Sequence, residues 1–316
     1  MKKSDLTLLF QKLHSDYHVD VESISDKKII RLLQETGLVT NLYQELEMDS
    51  PYAQAQADVS YTEDMIQLHS HFFYEILLCH SGNVQYLIGT DRYRMQKGDI
   101  VFIPPGISHR PLFLEQLVEP YDREVMWISS ELMEQIRQIS PEMKTMELHH
   151  YLLRTAGTEW ADLDSIFKQA VAETEQKKRG WQATCYALAM MLITNLMRAS
   201  QNIEAPIAER QVLLDEIMLY IEHHMAEKLS LDQISQHFHV STSTVSQTFR
   251  KHLNVSFYQF VTQRRLIAAK NFIQTGISLE HTATEVGFGD YSNFYRAFLK
   301  EYGITPAAYR QILRQK

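Results

Sequence analysis

The segment HSHFFYEILLCHSG, followed by GDIVFIPPGISH, sets three imidazoles and a carboxylate at spacings that a strand and a turn can gather. His69 and His71 lie two residues apart and so share one face of an extended strand, and Glu75 has the same parity. His109 follows a Pro-Pro-Gly turn that would bring it back from a neighbouring strand. Three imidazole nitrogens and one carboxylate converging inside a small barrel suit Zn, Mn, Fe or Ni. One reading is therefore a metal sensor or metalloenzyme using a divalent transition metal held by His69, His71, Glu75 and His109. The other keeps the same four as hydrogen-bonded barrel residues, with no cofactor.

A second set of polar residues stands on a helical pattern near the C-terminus. Ser230 is placed as an N-cap before LDQISQHF, HVS makes a turn, and Ser241 caps TSTVSQTFRKHL, whose inner face is Val245, Phe249 and Leu253. The arrangement recurs. Ser278 caps LEHTATEV, Gly287 turns the chain, and DYSNFYRAFLKEY follows with Phe294 and Phe298 inward. FYQFVTQRRLIAAKNFI runs between them as one long amphipathic helix. Two short helices joined by a tight turn, the second exposing small polar and basic residues, form the helix-turn-helix pattern. The alternative is a plain helical bundle whose polar faces meet water, and two copies in one basic domain argue against it.

The elements that must position these residues follow from patterning and charge. The 316 residues, with a net charge of −8, suffice for about two domains. A composition 45% hydrophobic and 22% charged excludes wholesale disorder and fibrous repeats. No apolar run reaches the roughly 18 residues that span a bilayer. MKKSDLTLLF lacks a cleavage site, so no signal peptide is read, and a soluble, cytoplasmic protein without membrane association is expected. Only Cys79 and Cys185 are present, too few for a disulfide framework or a Cys-based zinc site. From Lys228 onward there are eleven Lys/Arg against five Asp/Glu, a net +6 on a body of −14, which directs an anionic partner to the C-terminal third.

The expected fold is α+β with four parts. Residues 1–55 are a helical extension, with Leu6, Leu9, Phe10 and Leu13 at helical spacing. Residues 56–130 alternate as the strands of a small β-barrel, residues 131–204 return to helical period, and residues 205–316 are all-α with the two helix-turn-helix units. Within 131–204, the segment Cys185–Met197 is apolar nearly all round. A helix of that kind has two neighbours, which predicts a dimerisation or linker helix.

The span from Gln211 to Gln311 resembles the DNA-binding domain of the AraC/XylS family of transcription regulators. The resemblance is carried by VGFGDYSNFYRAFLKEYGITPAAYR, through Gly287, Phe288, Phe294, Phe298, Lys300, Gly303, Thr305, Pro306, Tyr309 and Arg310. Thr282 stands where that family has isoleucine, Asn254 where it has glycine, and Ser235 where it has alanine. The β-rich segment is similar to a cupin, with Gly82, Gly98, Pro104 and Gly106 in place and Phe113 where the final asparagine would be. Many members of the same regulator family carry such a sensor domain.

The resemblance implies a sequence-specific regulator of promoter DNA, an activator, that responds to a small-molecule effector in the cupin and works as a homodimer with RNA polymerase. Two second helices on one rigid domain would read adjacent major grooves. Their outward positions are Ser243, Thr244, Ser246, Gln247 and Arg250 in the first unit, and Tyr291, Ser292, Asn293, Tyr295 and Arg296 in the second. Gln247 and Asn293 suit adenine, Arg250 and Arg296 suit guanine, and Lys251 and Lys300 suit phosphates. Phe72, Tyr74, Tyr86, Tyr93, Phe102 and Trp127 are aromatic candidates for stacking on a sugar, or for core. The rivals are a cupin metalloenzyme and a ligand-independent DNA-binding protein with a vestigial barrel.

Overall fold

The computed structural model describes residues 50–60, 68–113, 117, 119–140, 151–204 and 206–314. All but the last few residues of the expected helical extension lie outside the described residues. The β-rich domain is two antiparallel sheets. Its strands are β1 (Ala53–Ser60), β2 (Tyr74–Ser81), β3 (Gln85–Ile88), β4 (Asp91–Arg94), β5 (Asp99–Ile103), β6 (His109–Leu112), β7 (Tyr121–Ile128) and β8 (Leu152–Arg154). One sheet has the order β1-β7-β2-β5-β8 and the other β4-β3-β6. Strand β8 pairs with β5 although it falls within the span read as helical.

The five-stranded sheet is buried on both faces, so its strands read as apolar runs rather than clean alternation. Ile76, Leu78, Ile100, Phe102, Met126 and Ile128 face outward against α2 (Asp164–Gln176) and α3 (Trp181–Asn202), which follow α1 (Ser130–Ile139). The small residues Ala53, Ala55 and Ala57 on β1 let α2 and α3 approach closely. Leu77, Val101, Ile103, Val125 and Trp127 face inward and meet Tyr86 and Ile88 of the smaller sheet. The all-round apolar helix is α3, and both its neighbours belong to this chain. Leu188, Leu192, Ile193 and Leu196 join the core shared with α2 and the sheet, while Met191 remains 54% exposed.

The C-terminal domain comprises α4 (Val212–His223), α5 (Leu231–His237), α6 (Thr242–Leu253), α7 (Phe257–Gln274), α8 (Leu279–Glu285), α9 (Tyr291–Tyr302) and α10 (Pro306–Arg314). The expected caps Ser230, Ser241 and Ser278 are present, and Ser256 and Asp290 add two more. Ser230 and Gln233 form a reciprocal capping box on α5, and the Ser241, Ser256, Ser278 and Asp290 side chains accept from backbone amides at the starts of α6, α7, α8 and α9. Asn254 ends α6 in the left-handed conformation at φ 52°, which asparagine tolerates. Thr282, fully buried, donates its hydroxyl to the Ser278 carbonyl at 2.9 Å and so fits where isoleucine was expected. Helix α7 enters both halves of the domain. Phe257, Phe260, Val261 and Ile267 complete the core of the first unit, and Leu266, Ala269 and Ile273 that of the second.

Gly287, in the turn between α8 and α9, has φ +83°, and a Cβ there would lie 2.3 Å from the Met225 carbonyl oxygen. Gly289 has φ +75° but open space around it. Gly289→Ala is therefore expected to lose only the left-handed backbone cost of about 1–2 kcal/mol, and Gly287→Ala more than about 2 kcal/mol. Thermal melts of the two variants compare them directly, and equal losses would contradict the close approach.

Candidate functional site

Antiparallel register places the imidazole–carboxylate set. Glu75 on β2 faces inward opposite Trp127 of β7 and Ile103 of β5. His69 and His109 are joined by two backbone hydrogen bonds, His69 N donating at 3.2 Å and His109 N at 2.8 Å. The Gly106 amide donates to the His71 carbonyl at 2.8 Å, so the Pro-Pro-Gly turn closes on the His69–His71 segment as the spacing required. All four residues are buried, His109 completely.

One ligand atom each from His69, Glu75 and His109 lies within 4.8 Å of the others. His71 joins through Glu75, its Nε2 3.0 Å from Oε2. His109 Nε2 lies 3.8 Å from the same oxygen and has no hydrogen-bond partner among the described residues. The Nδ1 atoms are committed elsewhere. That of His71 faces the Phe73 carbonyl at 2.7 Å and that of His109 the Ile107 carbonyl at 2.9 Å. A carbonyl only accepts, so each Nδ1 carries the proton, and in the neutral ring each Nε2 presents a lone pair. Both lone pairs then face a carboxylate. This is how metal-binding histidines are oriented by outer hydrogen bonds, and it needs a shared cation or an extra proton.

Burial lowers the His71 pKa against the attraction of Glu75. Burial would raise that of Glu75, but His109 and His71 outweigh it and hold the carboxyl well below its usual range. A carboxylate that stays ionised beside His71, whose protonation burial disfavours, is an electrostatic setting that suits a cation. The donor set, two or three imidazoles and one carboxylate, fits a borderline divalent metal.

The aromatic candidates divide by strand parity. Trp127, Tyr86 and Tyr93 belong to the inner cluster, whereas Phe102 and Tyr74 pack on the outer face towards α2 and α3. Phe72 is half-buried. Phe73, which the sequence reading passed over, stacks on His71 at 4.0 Å and lies 5.0 Å from Trp127. A polar inner face was also missed. Gln54, Gln56, Asp58 and Ser60 of β1 stand opposite Trp127, Val125, Arg123 and Tyr121 of β7. Arg123 donates to Ser60 Oγ at 3.0 Å, approaches Asp58 at 3.7 Å and lies 4.6 Å from the Tyr121 ring centre. The buried Tyr121 hydroxyl has no partner among the described residues. The alternation in AQAQADVS carried this signal.

In the helix-turn-helix units, Ser243, Gln247, Arg250 and Lys251 of α6 are exposed, with Thr244 and Ser246 half-buried. On α9, Ser292, Asn293, Arg296 and Lys300 are exposed, and Tyr291 and Tyr295 are half-buried. Tyr291 packs partly against the second unit's core. Asn293 is already engaged, donating to Asp290 at 2.5 Å and accepting from Arg296 at 2.7 Å.

The domains meet through buried polar contacts. Arg92 of β4 pairs with Asp215 of α4 at 2.8 Å. Arg110 of β6 donates to the Leu253 carbonyl at the end of α6, and Lys270 of α7 donates to the Ser70 carbonyl at 3.1 Å. Leu68, Leu87 and Leu112 of the barrel join the first unit's core.

Comparison with known proteins agrees with this division. The AraC-like ligand binding domain matches residues 53–193, and a helix-turn-helix domain matches residues 234–312. The chain is 26% identical over 261 residues to the HTH-type transcriptional regulator YfiF of Bacillus subtilis, covering 78% of this chain and 79% of that one. It is 22% identical to the HTH-type transcriptional activator RhaR of Salmonella dublin, covering 81% and 90%. Among solved structures, it is 30% identical to the C-terminal domain of the two-component response regulator yesN from Fusobacterium nucleatum, with a TM-score of 0.30, covering 30% of this chain and 95% of that one. No helix among the described residues is long and apolar enough to cross a membrane.

The lowered His71 pKa has a testable sign. The folded state keeps the ring neutral while the unfolded chain takes up a proton below about 6.5, so this stability is complete above that value and lost as pH falls. Glu75 acts in the same direction below about 4.5. In chelator-treated protein, the melting temperature is expected to fall between about pH 7 and about pH 5, and to fall less in His71→Asn. Parallel curves for the two proteins would contradict the assignment.

Proposed function

We propose a mechanism for a chain that belongs to the AraC family of DNA-binding transcription regulators, a regulator and not an enzyme. The observation that carries it is the pair of capped helix-turn-helix units built on α7, each with an exposed, polar second helix. Helices α6 and α9 enter successive major grooves of promoter DNA. Gln247, Arg250, Asn293 and Arg296 read base edges, with Ser243, Thr244, Ser246, Ser292 and Tyr295 beside them. Lys251 and Lys300 hold phosphates. The action is activation, which the name of the Salmonella relative as an activator supports, and it is exerted by a homodimer with RNA polymerase.

The effector site is the barrel interior. A polyhydroxylated molecule such as a sugar suits it, because Asp58, Gln56, Arg123 and Tyr121 offer alternating acceptors and donors and Trp127 offers a ring face. A second reading is favoured by the paired Nε2 lone pairs facing Glu75. His69, His71, Glu75 and His109 would hold a divalent metal, which would supply a fixed positive charge beside Glu75.

Binding to promoter DNA from the chain's own genomic neighbourhood tests the first reading. Gln247→Ala and Arg296→Ala are each expected to cost about 1–3 kcal/mol at a single base position. Lys251→Ala should weaken all sequences alike and reduce the salt slope by about 1. Affinity that ignores salt and all three substitutions would refute the interface. Titration of the protein–DNA complex with simple sugars tests the effector.

A further inference from the structure

The residues next to the metal-ligand candidates are the ones that hold the DNA-binding domain. Ser70 sits between His69 and His71, and its carbonyl accepts from Lys270, a buried lysine in the C-terminal part of α7. Arg110 follows His109, and its guanidinium donates to the Leu253 carbonyl at the C-terminus of the first recognition helix, α6. Both links reach the cluster through backbone that is already fixed. His69 and His109 exchange two backbone hydrogen bonds, and the His71 carbonyl is held by Gly106. A shift of either imidazole-bearing segment therefore moves the atoms that α6 and α7 grip.

The contact also extends to the second unit. The Lys270 ammonium lies 5.3 Å from the ring centre of Tyr302 in α9 and 5.9 Å from that of Tyr309 in α10. Glu301 of α9 accepts from Gln263 of α7 at 3.1 Å and shares an electrostatic interaction with Arg110. Arg110 and Lys270 thus bear on α6, α7 and α9 together.

We propose that a divalent transition metal bound by His69, Glu75 and His109, with His71 as the additional donor, locks the DNA-binding domain onto the barrel through Ser70–Lys270 and Arg110–Leu253. The proposal rests on the metal reading of the cluster. The docked arrangement is one in which the ligand atoms are already gathered within 4.8 Å. A metal binds that arrangement better than one in which the segments move apart, and loading shifts the population towards it. Linkage makes the effect reciprocal, so loosening the lock must weaken metal binding. Lys270 and Arg110 are positioning residues here, since neither offers a ligand atom to the metal.

The test uses tag-free, full-length, metal-stripped protein titrated with Co2+, whose absorption reports imidazole and carboxylate ligation. Wild type is expected to bind one Co2+, and His69→Ala and His109→Ala to lose it. Lys270→Met and Arg110→Met should bind about 10-fold more weakly, the scale of outer-sphere effects, and Lys270→Arg should recover most of the loss. Co2+ should also slow amide exchange about 10-fold at residues 250–254 and 266–273 of wild type. That measurement decides the matter if the methionine variants do not fold. Wild-type Co2+ affinity in folded Lys270→Met and Arg110→Met would overturn the proposal, as would unchanged exchange on loading. Absence of Co2+ binding by wild type would overturn both the lock and the metal reading. Salt-sensitive promoter binding in that same protein would show that the regulator reading stands independently.

Discussion

The buried carboxylate of Glu75 is the constraint on which the barrel's chemistry depends. An ionised carboxylate among Leu77, Ile103 and Trp127 costs several kcal/mol unless a positive charge or hydrogen-bond donors meet it. The surrounding residues are arranged around that demand. β2 brings Glu75 inward, the bridge between His69 and His109 fixes two imidazoles beside it, and the Phe73 and Ile107 carbonyls turn the rings so that Nε2 faces the oxygen. Neutral rings in that orientation cannot donate to the carboxylate. The arrangement is therefore completed by protonation or by a cation, and burial disfavours protonation of His71.

The C-terminal domain answers a different constraint with the same economy of elements. Two helix-turn-helix units are too small to hold independent cores, and α7 supplies residues to both. One rigid helix then fixes the separation and angle of α6 and α9, which is what reading two grooves requires. The serine and aspartate caps at five helix starts reinforce this, because short helices draw much of their stability from satisfied end groups.

Much of this was legible in the sequence where the signal is local. Parity gave the shared face of His69, His71 and Glu75, and cap residues marked the starts of α5, α6 and α8. Parity also contained what the sequence reading missed. Tyr74 and Ile76 have the opposite parity to Glu75, and Phe102 pairs with Ile76, so both aromatics had to face α2 and α3. The polar inner face of β1 was hidden by alanine, a poor strand former, at three of its four alternate positions. Helix α3 was correctly two-sided, yet nothing local distinguishes a neighbour in the same chain from one in a partner. The inter-domain contacts left no trace, because Lys270 and Arg110 bond to backbone carbonyls, which every residue has.

Those contacts also explain why the junction suits a switch. Three buried cations cross it or line it: Arg92, Arg110 and Lys270. Arg92 meets the Asp215 carboxylate directly, whereas Arg110 donates to the Leu253 carbonyl and Lys270 to the Ser70 carbonyl. Burial outweighs the attraction of Glu301 and lowers the Arg110 pKa to about 10, so that cation recovers less than its desolvation costs. The apolar share of the junction is modest, with Leu68, Leu87 and Leu112 added to the first unit's core. Favourable apolar burial and unfavourable cation burial oppose one another there, so the net free energy of docking is small against either term. A contact of that kind can be moved by the 1–3 kcal/mol that couples a ligand at one site to affinity at another. A junction of purely apolar residues would hold too firmly for such a ligand to shift.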